Sequence, residues 1–385
     1  LIAHQGKLLA SQSRLSFTPL ELMCLDIDTK ATSSDSIKIE FPSTNFEFAK
    51  AASLGLFDYL RKSRAKGYTL SLSGGADSSS IAVLVAELVK HGISYLGVKQ
   101  FCQSLNQDFK FEPHSSPDSI QKQIVNKVLF TAYQGTKNSS DETLNSAKGL
   151  AESIGAQFTN WNIDEVVKSN HDIIESVIER KLDWQVDDIA LQNIQARTRS
   201  PLIWMMANIN QSILLTTSNR SEGDVGYTTM DGDTSGSLAP IAGVDKPFII
   251  QWLKYAESTL GYAGLSYVNS LTPTAELRPK AYTQTDEDDL MPYDLLLDIE
   301  KLAIHQRKSP VEVFHALKDI STFNSESLKM YVKKFFRMWS INQWKRERLA
   351  PSFHLDEFNV DPKTWCRFPI LSGSFNYEIL ALDQA

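Results

Sequence analysis

The segment with the most evident chemistry is a glycine pair set between hydroxyl side chains and one acid. It consists of Ser73, Gly74, Gly75, Ala76, Asp77, Ser78 and Ser79. Paired glycines let the backbone approach a ligand and direct successive N–H groups at it, and the start of a helix adds a dipole that favours anions. The segment therefore predicts a phosphate-binding loop. The alternative is an ordinary turn from a strand into a helix, capped by serines.

This loop differs from the G-x-x-x-x-G-K-[ST] loop, because no lysine follows its glycines. Asp77 lies inside it instead, and an acid beside bound phosphate is expected mainly as a ligand of Mg²⁺. Glu222 follows a second predicted strand and is expected to share that cation, the alternative being an ordinary loop acid. We therefore predict Asp77 and Glu222 as the catalytic, metal-binding pair.

The elements that position these residues alternate between helix and strand. The spacing of apolar residues predicts helices over 45–64, 78–90, 138–154 and 189–209, strands over 68–73, 127–132 and 157–161, and an apolar run at 212–216. A glycine- and aspartate-rich loop is predicted over 219–236, and the chain beyond 293 is predicted to be mainly helical. Such alternation implies an α/β class with a Rossmann-like, doubly wound parallel sheet, which binds ligands at the carboxyl ends of its strands.

Composition is that of a globular soluble protein, since 42% of the 385 residues are hydrophobic and 22% are charged. A formal charge of -7 argues against a surface built for DNA or RNA. Cys24, Cys102 and Cys366 form no C-x-x-C pair, so neither a zinc site nor a disulfide framework is indicated, and a reducing cytoplasm fits. Apolar runs such as 203–207 and 212–215 are far shorter than the ~20 residues that span a bilayer, so no membrane association is predicted.

The loop at 73–78 resembles the SGGxDS motif of the PP-loop ATP pyrophosphatase superfamily, whose fold is of the adenine nucleotide α-hydrolase type. Its members attack the α-phosphate of ATP, release pyrophosphate and form an adenylated intermediate. The resemblance implies Mg²⁺ as cofactor and assigns ATP binding to Ser73, Gly74, Gly75, Asp77, Ser78 and Ser79. The motif does not fix the acceptor, because GMP, asparagine and argininosuccinate synthetases, tRNA-thiolating enzymes and NAD synthetases all carry it.

Further matches resemble the NAD synthetase family and occur in its order. They lie at 192–199, 216–222, 226–233, 240–243, 273–277, 284–287, 290–294, 344–346 and 367–370. They are similar to the family's QNIQARxR helix, (G/T)xxNRSE strand end, GY and GD pairs, PIAGxxK turn, mobile P-(S/T)-A-E-L segment with its QxDE and LPPYDxLD continuation, and C-terminal KRRxxPP…RxPI pattern.

This resemblance implies a ligase that amidates nicotinic acid adenine dinucleotide (deamido-NAD) to NAD with ATP and ammonia. It implies that Thr217 and Thr274 contact ATP. The residues that it implies for deamido-NAD are Asn193, Arg197, Glu222 and Lys345. It also implies a homo-oligomer formed through the helix at 189–209. From the residues alone, the i and i+4 spacing of Asn193 and Arg197 would equally suit an exposed polar stripe.

Residues 1–40 bear a weaker resemblance, at 8–10, 14–17 and 26–28, to the closing hairpin and last strand of a nitrilase-like glutaminase domain. That domain precedes the synthetase in glutamine-dependent members, and a polar linker follows here at 29–36. We therefore assign 1–40 to a remnant of that domain with its linker, and 41–385 to the synthetase domain with a helical extension from about 295. The glutaminase machinery would lie before Leu1, so Cys24 is not expected to be a nucleophile. The chain is expected to use ammonium but not glutamine.

Met230 departs from the family pattern, in which a lysine commonly stands at that position. A methionine cannot neutralise phosphate charge, so either another cation substitutes, with Lys246 as one candidate, or the substrate is held differently. Two alternative functions stay open: another PP-loop enzyme such as a GMP synthetase, and a non-catalytic nucleotide-binding subunit. The acidic run at 286–289 is interpreted as solvated surface.

Overall fold

A computed structural model describes residues 1–29, 36–105, 107, 109, 111, 115–271, 277, 286–370 and 374–385. Over these residues the chain combines a parallel four-stranded sheet, a small antiparallel hairpin and many helices. The predicted α/β class is therefore confirmed.

The N-terminal hairpin pairs strand β1, Ile2–His4, with strand β2, Lys7–Ala10, as predicted. The expected strand at 26–28 is wrong, because the chain has no helix or strand between residues 11 and 29. A strand needs a neighbour for its N–H and C=O groups. In the described sheets β1 and β2 pair only with each other, so this segment has no strand partner there.

The central sheet holds four parallel strands in the spatial order β5, β4, β3, β6. They are β3 (Tyr68–Ser71), β4 (Leu129–Gly135), β5 (Gln157–Asn162) and β6 (Ile213–Leu215). Gly67, just before β3, lets the chain pass close to the backbone of Val128, since a Cβ at this position would lie 2.6 Å from the main-chain oxygen of Val128. Parallel pairing puts the carboxyl ends of all four strands at one edge. Asp77 and Glu222, which lie in the first turns of the helices that follow β3 and β6, are therefore at the same edge.

Helices connect and cover these strands. They are α1 (Thr44–Ser63), α2 (Ala76–Ser104), α3 (Pro117–Val128), α4 (Asp141–Ile154), α5 (Asp164–Ile178), α6 (Asp188–Asn210), α7 (Arg220–Val225), α8 (Lys246–Ser258) and α9 (Leu265–Ser270). The predicted helices correspond to α1, α2, α4 and α6, although α2 continues far beyond residue 90. Helix α4 starts after its N-cap Ser140, whose side chain accepts a hydrogen bond from the N–H of Thr143.

In two places the structure differs from the sequence prediction, and in each case a helix is the reason. The strand expected from residue 127 starts at Leu129, because α3 continues through Val128. The loop expected over 219–236 contains α7, which is capped when the side chain of Asn219 accepts a hydrogen bond from the N–H of Glu222. The cap lies within the matched NRSE motif, so its chemistry was visible in the sequence although the short helix was not predicted.

Helix α2 contains a longer apolar run than the two short runs named from the sequence. By length and composition alone it could cross a membrane. In this fold it is a core helix that contacts α1, α3 and α8. Its residues Ile81, Leu84, Val85 and Leu88 are all fully buried. Burial against neighbouring helices therefore accounts for its hydrophobicity.

The C-terminal part is mainly helical, as predicted. It comprises α10 (Asp286–Asp289), α11 (Tyr293–Glu300), a π-helical turn (Lys301–His305), α12 (Pro310–Leu317), α13 (Ser325–Ile341), α14 (Gln343–Arg346) and α15 (Asn376–Gln384). These helices enclose a second hydrophobic cluster that includes Leu296, Ile299, Val332 and Phe335. The main cluster, around β3, α1, α2 and α8, is separate.

One aromatic side chain joins the N-terminal segment to the main cluster. Phe17 is 3% exposed, and its ring centroid lies 5.4 Å from that of Phe57 and 5.7 Å from that of Tyr95. Nearby, the Nζ of Lys50 donates a hydrogen bond to the main-chain oxygen of Arg14 at 2.8 Å. Residues 14–17 are therefore docked against α1 and α2.

We expect Phe17→Ala to lower the free energy of unfolding by about 3 kcal/mol, because truncating a buried aromatic ring leaves a cavity. Leu22→Ala is the matched control, since Leu22 lies in the same segment but is 83% exposed. Its expected effect is within about 0.5 kcal/mol. Urea unfolding followed by circular dichroism measures both variants. Equal stability of Phe17→Ala and the unchanged chain would show that this segment is not docked in solution.

Candidate active site

The glycine pair forms the turn from β3 into α2. Gly74 has a φ of +83°, and a Cβ there would lie 2.2 Å from the main-chain oxygen of Thr143, so no larger residue fits. The N–H of Ser73 donates to the Oγ of Ser78 at 3.2 Å, and the N–H of Gly75 donates to the Oγ of Ser73 at 3.3 Å. The turn is therefore held by its own hydroxyl groups.

Three charged side chains meet beside this turn. The Nζ of Lys246 donates to the Oδ2 of Asp77 at 2.5 Å and lies 3.7 Å from the Oε1 of Glu222. The other carboxylate oxygen of Asp77 accepts a hydrogen bond from the Nδ2 of Asn219 at 3.0 Å. Lys246 is only 3% exposed. A buried ammonium requires negative partners, so the lysine and the two acids fix one another's positions.

A second buried cation, Arg220, sets the spacing between the segments that carry Glu222 and Lys246. Its side chain is 1% exposed, and it pairs with Glu300 at 2.8 Å and with Asp245 at 3.0 Å. Asp245 is also the N-cap of α8. Because Arg220 is the first residue of α7 and Asp245 immediately precedes Lys246, this ion pair links the start of α7 to the start of α8.

A cavity of about 330 Å³ opens beside the turn, at the sheet edge predicted for ligands. Its polar lining includes Ser73, Gly75, Asp77, Thr217, Glu222 and Lys246. Its apolar lining includes Ile203, Leu214, Ile250, Leu253, Val268 and Leu271. This mixture suits a ligand that has both an anionic group and a planar apolar part.

Three residues implied for the dinucleotide converge on the loop at 226–230. The Oδ1 of Asn193 accepts a hydrogen bond from the Thr229 hydroxyl at 2.8 Å, and the Nε of Arg197 donates to the main-chain oxygen of Met230 at 2.9 Å. The Nζ of Lys345 donates to two main-chain oxygens of the same loop, at 2.7 and 2.8 Å. These three residues support the loop from outside the cavity. The cavity itself is lined by Tyr227 of this loop and by Gly232 and Asp233, which follow it.

Asp233 and Lys345 lie in a partly desolvated setting. Burial raises the pKa of Asp233 to about 6, and hydrogen bonds and the positive charge of Lys345 offset this only in part. One of those bonds comes from the N–H of Thr229 at 2.8 Å. Burial lowers the pKa of Lys345, an effect that the carboxylate of Asp233 opposes and the cation Arg197 reinforces. A negative group entering here would therefore meet, in Lys345, a cation that is partly desolvated.

Comparison with known proteins decides the family. Residues 49–348 match the family model described as NAD synthase. The chain belongs to the NAD synthase family.

Several NAD synthase relatives align along most of this chain. It is 33% identical over 388 residues to a glutamine-dependent NAD(+) synthetase of Oryza sativa subsp. indica, an alignment that covers 94% of this chain and 52% of the relative. The Arabidopsis thaliana protein of the same name is 32% identical, with 92% and 52% covered. The crystal structure of a glutamine-dependent NAD(+) synthetase from Cytophaga hutchinsonii is similar with a TM-score of 0.81 and 54% identity, over 89% of this chain and 56% of that one. The chain spans about half the length of the curated relatives it matches.

Within this NAD synthase chain, five of the proposed ligand-binding residues line one cavity: Ser73, Gly75, Asp77, Thr217 and Glu222. Gly74 and Ser78 shape the turn from within. Ser79 is fully buried, with its side chain away from the cavity lining. Thr274 and the matched residues 273–276, 284 and 285 lie outside the described part of the chain, although Leu277 lines the cavity.

Met230, at the position of the family lysine, is packed inward. It is 3% exposed, and its sulfur accepts a hydrogen bond from the Thr234 hydroxyl at 3.9 Å. Lys246, the candidate substitute, lies beside the turn from β3 into α2 instead. Arg197 and Lys345 are the cations that donate hydrogen bonds to the loop containing Met230.

Sequence reasoning did not single out Gln134, Arg199 or Asp233, which all line the cavity. Arg199 and Asp233 stand inside matched family motifs, so those motifs held a signal for them. Gln134 had a weaker signal: it lies near the carboxyl end of β4, the strand next to β3, where ligands of parallel sheets bind.

We expect Asp233→Asn to stabilise the protein at neutral pH but not at acid pH. Its pKa is about 6 when folded and ~3.9 when unfolded, so the stabilisation that it gives while protonated is lost as the pH rises from ~4 to ~6. Above that range the ionised carboxylate is disfavoured by an amount that the solvent exposure of Asp233 reduces, and asparagine avoids this cost while still accepting the Thr229 N–H. Urea unfolding at pH ~4 and pH ~7.5 measures the difference. An equal effect of the substitution at both pH values would contradict the assignment.

Proposed function

We propose that this chain is the ATP-dependent amidating part of a glutamine-dependent NAD synthetase. It converts deamido-NAD, ATP and ammonia to NAD, AMP and pyrophosphate, which makes it a carbon–nitrogen ligase. The main support for the proposal is one cavity in which the turn from β3 into α2, residues 73–78 (the phosphate turn), lies beside Glu222 and Lys246 and contributes Asp77. The relatives described above carry the name glutamine-dependent NAD(+) synthetase, which supports the same activity.

ATP is bound by the turn from β3 into α2. Main-chain N–H groups at a helix start, together with the helix dipole, stabilise phosphate oxygens. Ser73, Gly74, Gly75 and Ser78 shape this turn for the leaving pyrophosphate, and Ser79 packs beneath it. Thr217 contacts ATP from the segment after β6, and Thr274 is assigned to ATP by resemblance alone. Lys246 contacts Asp77 beside the phosphate turn, so its positive charge is close enough to help neutralise the phosphates of ATP.

The carboxylates of Asp77 and Glu222 fit a magnesium ion. Lys246 lies between them, which indicates that this point of the cavity stabilises a cation. No cluster of three or more His, Cys, Asp or Glu side chains suited to a metal occurs in the described ranges. Substrate oxygens and water would complete the shell of an ion held by these two carboxylates. Mg²⁺ typically takes one or two carboxylates together with phosphates. When bound, it would neutralise the charge that develops on the phosphates.

The reaction has two balanced steps. A carboxylate oxygen of the nicotinate group attacks the α-phosphorus of ATP, the bond to the β-phosphate oxygen breaks, and pyrophosphate leaves. Ammonia then attacks the acyl carbon, the bond to the AMP oxygen breaks, and loss of a proton gives the amide. Positioning and charge neutralisation carry such chemistry, so no side-chain nucleophile is needed.

The loop at 226–230 with its three supporting residues forms the deamido-NAD side of the cavity. Asn193, Arg197 and Lys345 hold the loop, and Glu222 faces both substrates from the cavity lining. Arg197 and Lys345 also bring to this loop the positive charge that Met230 cannot supply. Their removal should therefore weaken deamido-NAD binding more than ATP binding.

The finer fold and domain assignments belong to the same proposal. The parallel order β5, β4, β3, β6 with intervening helices supports a Rossmann-like, doubly wound fold of the adenine nucleotide α-hydrolase type. Residues 1–40 are assigned to a remnant of the glutaminase domain and its linker, and 41–385 to the synthetase domain. The hairpin of β1 and β2 supports the first assignment, and the docking of Phe17 indicates contact between the two parts.

A homo-oligomer through α6 is the proposed assembly. Helix α6 exposes Ile189, Met205 and Ile209, and the contacting helix α5 has no buried residue yet exposes Ile173 and Val177. Exposed apolar side chains on two contacting helices support an interface at this place. A cytoplasmic location is consistent with the three unpaired cysteines.

We expect Asp77→Asn to reduce pyrophosphate release by roughly 100-fold or more with the fold intact, because the substitution removes a charged metal ligand from the phosphate site. The matched control is Asp118→Asn, since Asp118 is an exposed acid in the first turn of α3. Turnover with deamido-NAD, ATP and ammonium is measured across a magnesium titration for each variant. Near-normal turnover of Asp77→Asn at ordinary magnesium concentration would remove Asp77 from the mechanism.

Product analysis tests the acceptor. With ATP, Mg²⁺ and ammonium, the chain is expected to form NAD and AMP from deamido-NAD and to leave xanthosine monophosphate unchanged, because the motifs around Asn193 and Glu222 resemble those of NAD synthetases. Chromatography with mass detection identifies the products. Formation of GMP would show a different PP-loop enzyme, and ATP binding without pyrophosphate release would show a non-catalytic subunit.

A further inference from the structure

Gln134 holds an unused hydrogen-bond acceptor at the cavity. It lies near the carboxyl end of β4, lines the cavity and is 5% exposed. Its Nε2 donates to the Oγ of Ser71 at 3.2 Å, and its main-chain oxygen accepts from the Nε of Arg199 at 3.2 Å. Within the described residues, its Oε1 is buried and has no hydrogen-bond partner.

The polar neighbours Ser71 and Arg199 contact the Nε2 and the main-chain oxygen of Gln134, and its Oε1 has no partner among the described residues. Ile203 and Leu214 line the same cavity, and both are apolar. Across the sheet, Trp161 is the register partner of Gln134 on β5, and its Nε1 is likewise buried without a partner among the residues described. Buried polar groups in folded proteins almost always have a partner, whether protein, water or ligand. An unpaired acceptor at a cavity therefore indicates a ligand group that donates, or a bridging water.

The substrates of the proposed function differ in which of their groups can donate. Phosphates and the nicotinate carboxylate only accept hydrogen bonds at neutral pH, whereas ribose hydroxyls, ammonia and the 6-amino group of adenine can donate. Adenine combines a planar apolar body, which suits the apolar lining, with a 6-amino group that donates. The phosphate turn follows β3, and Gln134 is on the adjacent strand β4, so a nucleotide whose phosphates bind the turn can direct its base toward Gln134.

We propose that the carboxamide oxygen of Gln134 accepts a hydrogen bond from the 6-amino group of the adenine of ATP, and that this selects a 6-aminopurine triphosphate. The proposal rests on the proposed function, because it requires ATP at the phosphate turn. It adds a specificity-determining residue that lies outside the motifs matched in the sequence. A 6-oxopurine would place an acceptor against an acceptor, which is unfavourable in a desolvated site.

The test compares ATP with purine riboside triphosphate, which carries hydrogen in place of the 6-amino group. Dissociation constants are measured by calorimetry with Mg²⁺ for the unchanged chain, Gln134→Met, Gln134→Glu and Gln157→Met. Methionine keeps the length of the side chain but loses the acceptor, whereas glutamate keeps an acceptor. Gln157 is the matched control, because it is a glutamine at the opposite end of the neighbouring strand β5.

We expect the unchanged chain and Gln157→Met to bind ATP roughly 10- to 100-fold more tightly than the 6-hydrogen analogue. Gln134→Met should bring this ratio close to one by weakening ATP binding alone. Gln134→Glu should restore part of the ratio, although its negative charge weakens both ligands. The KM for ammonium should be the same in Gln134→Met as in the unchanged chain.

Three results would overturn the proposal. A ratio near one in the unchanged chain would mean that Gln134 contacts a water shared with Trp161 rather than the base. A ratio that persists in Gln134→Met, or a raised KM for ammonium with that ratio intact, would assign base recognition elsewhere. Failure of the unchanged chain to bind ATP at all would overturn the proposed function itself, and this outcome is distinct because neither ligand would then bind.

Discussion

A single buried guanidinium connects the parts of the fold that build the cavity. Arg220 pairs with Glu300 at 2.8 Å and with Asp245 at 3.0 Å, and it donates to the main-chain oxygen of Gly243 at 2.8 Å. Glu300 ends α11 in the helical extension, and Asp245 caps α8. Breaking a buried ion pair leaves an uncompensated charge, which typically costs about 3–5 kcal/mol. The position of α7, and with it Glu222, therefore depends on contacts from both halves of the molecule.

The helical extension is consequently part of the site's support. Helix α7 contributes Val225 to the second hydrophobic cluster, while its N-cap Asn219 hydrogen bonds to Asp77 beside the phosphate turn. From the extension, Arg346 donates to the main-chain oxygen of Asp224 at 2.6 Å, and Lys345 supports the loop at 226–230. The C-terminal helices thus support both sides of the cavity, although none of their described residues is among those that line it.

The charges at the cavity form two groups with different surroundings. At the phosphate turn, the buried Lys246 lies between the carboxylates of Asp77 and Glu222. At the 226–230 loop, Arg197 and Lys345 outnumber Asp233, and burial shifts the pKa of Asp233 upward and that of Lys345 downward. A substrate with phosphates at one end and a carboxylate at the other would therefore meet Lys246 with its two acids and then a loop supported by two cations.

The phosphate turn, the α/β class and the family motifs were all determined by sequence, because each depends on residues that are close along the chain. Glycine torsion angles, serine caps and helical spacing are local properties, and they predicted α1, α4 and α6 to within a few residues. The strand expected at 26–28 failed because pairing needs a distant partner. The prediction ended α2 at residue 90, whereas the helix continues to Ser104 through a kink at Gly97, and most of its residues after Gly92 are exposed or half-buried.

Only the tertiary structure decided which side chains meet. Lys246 contacts Asp77 across 169 positions of sequence, and Asn193, Arg197 and Lys345 reach one loop from two distant helices. The Oε1 of Gln134 lies buried and unpaired beside the cavity because β4 is placed between β3 and β5 in the sheet. These encounters follow from sheet order and from the pairing of buried charges. Both are properties of the packed chain, and no spacing along the sequence encodes them.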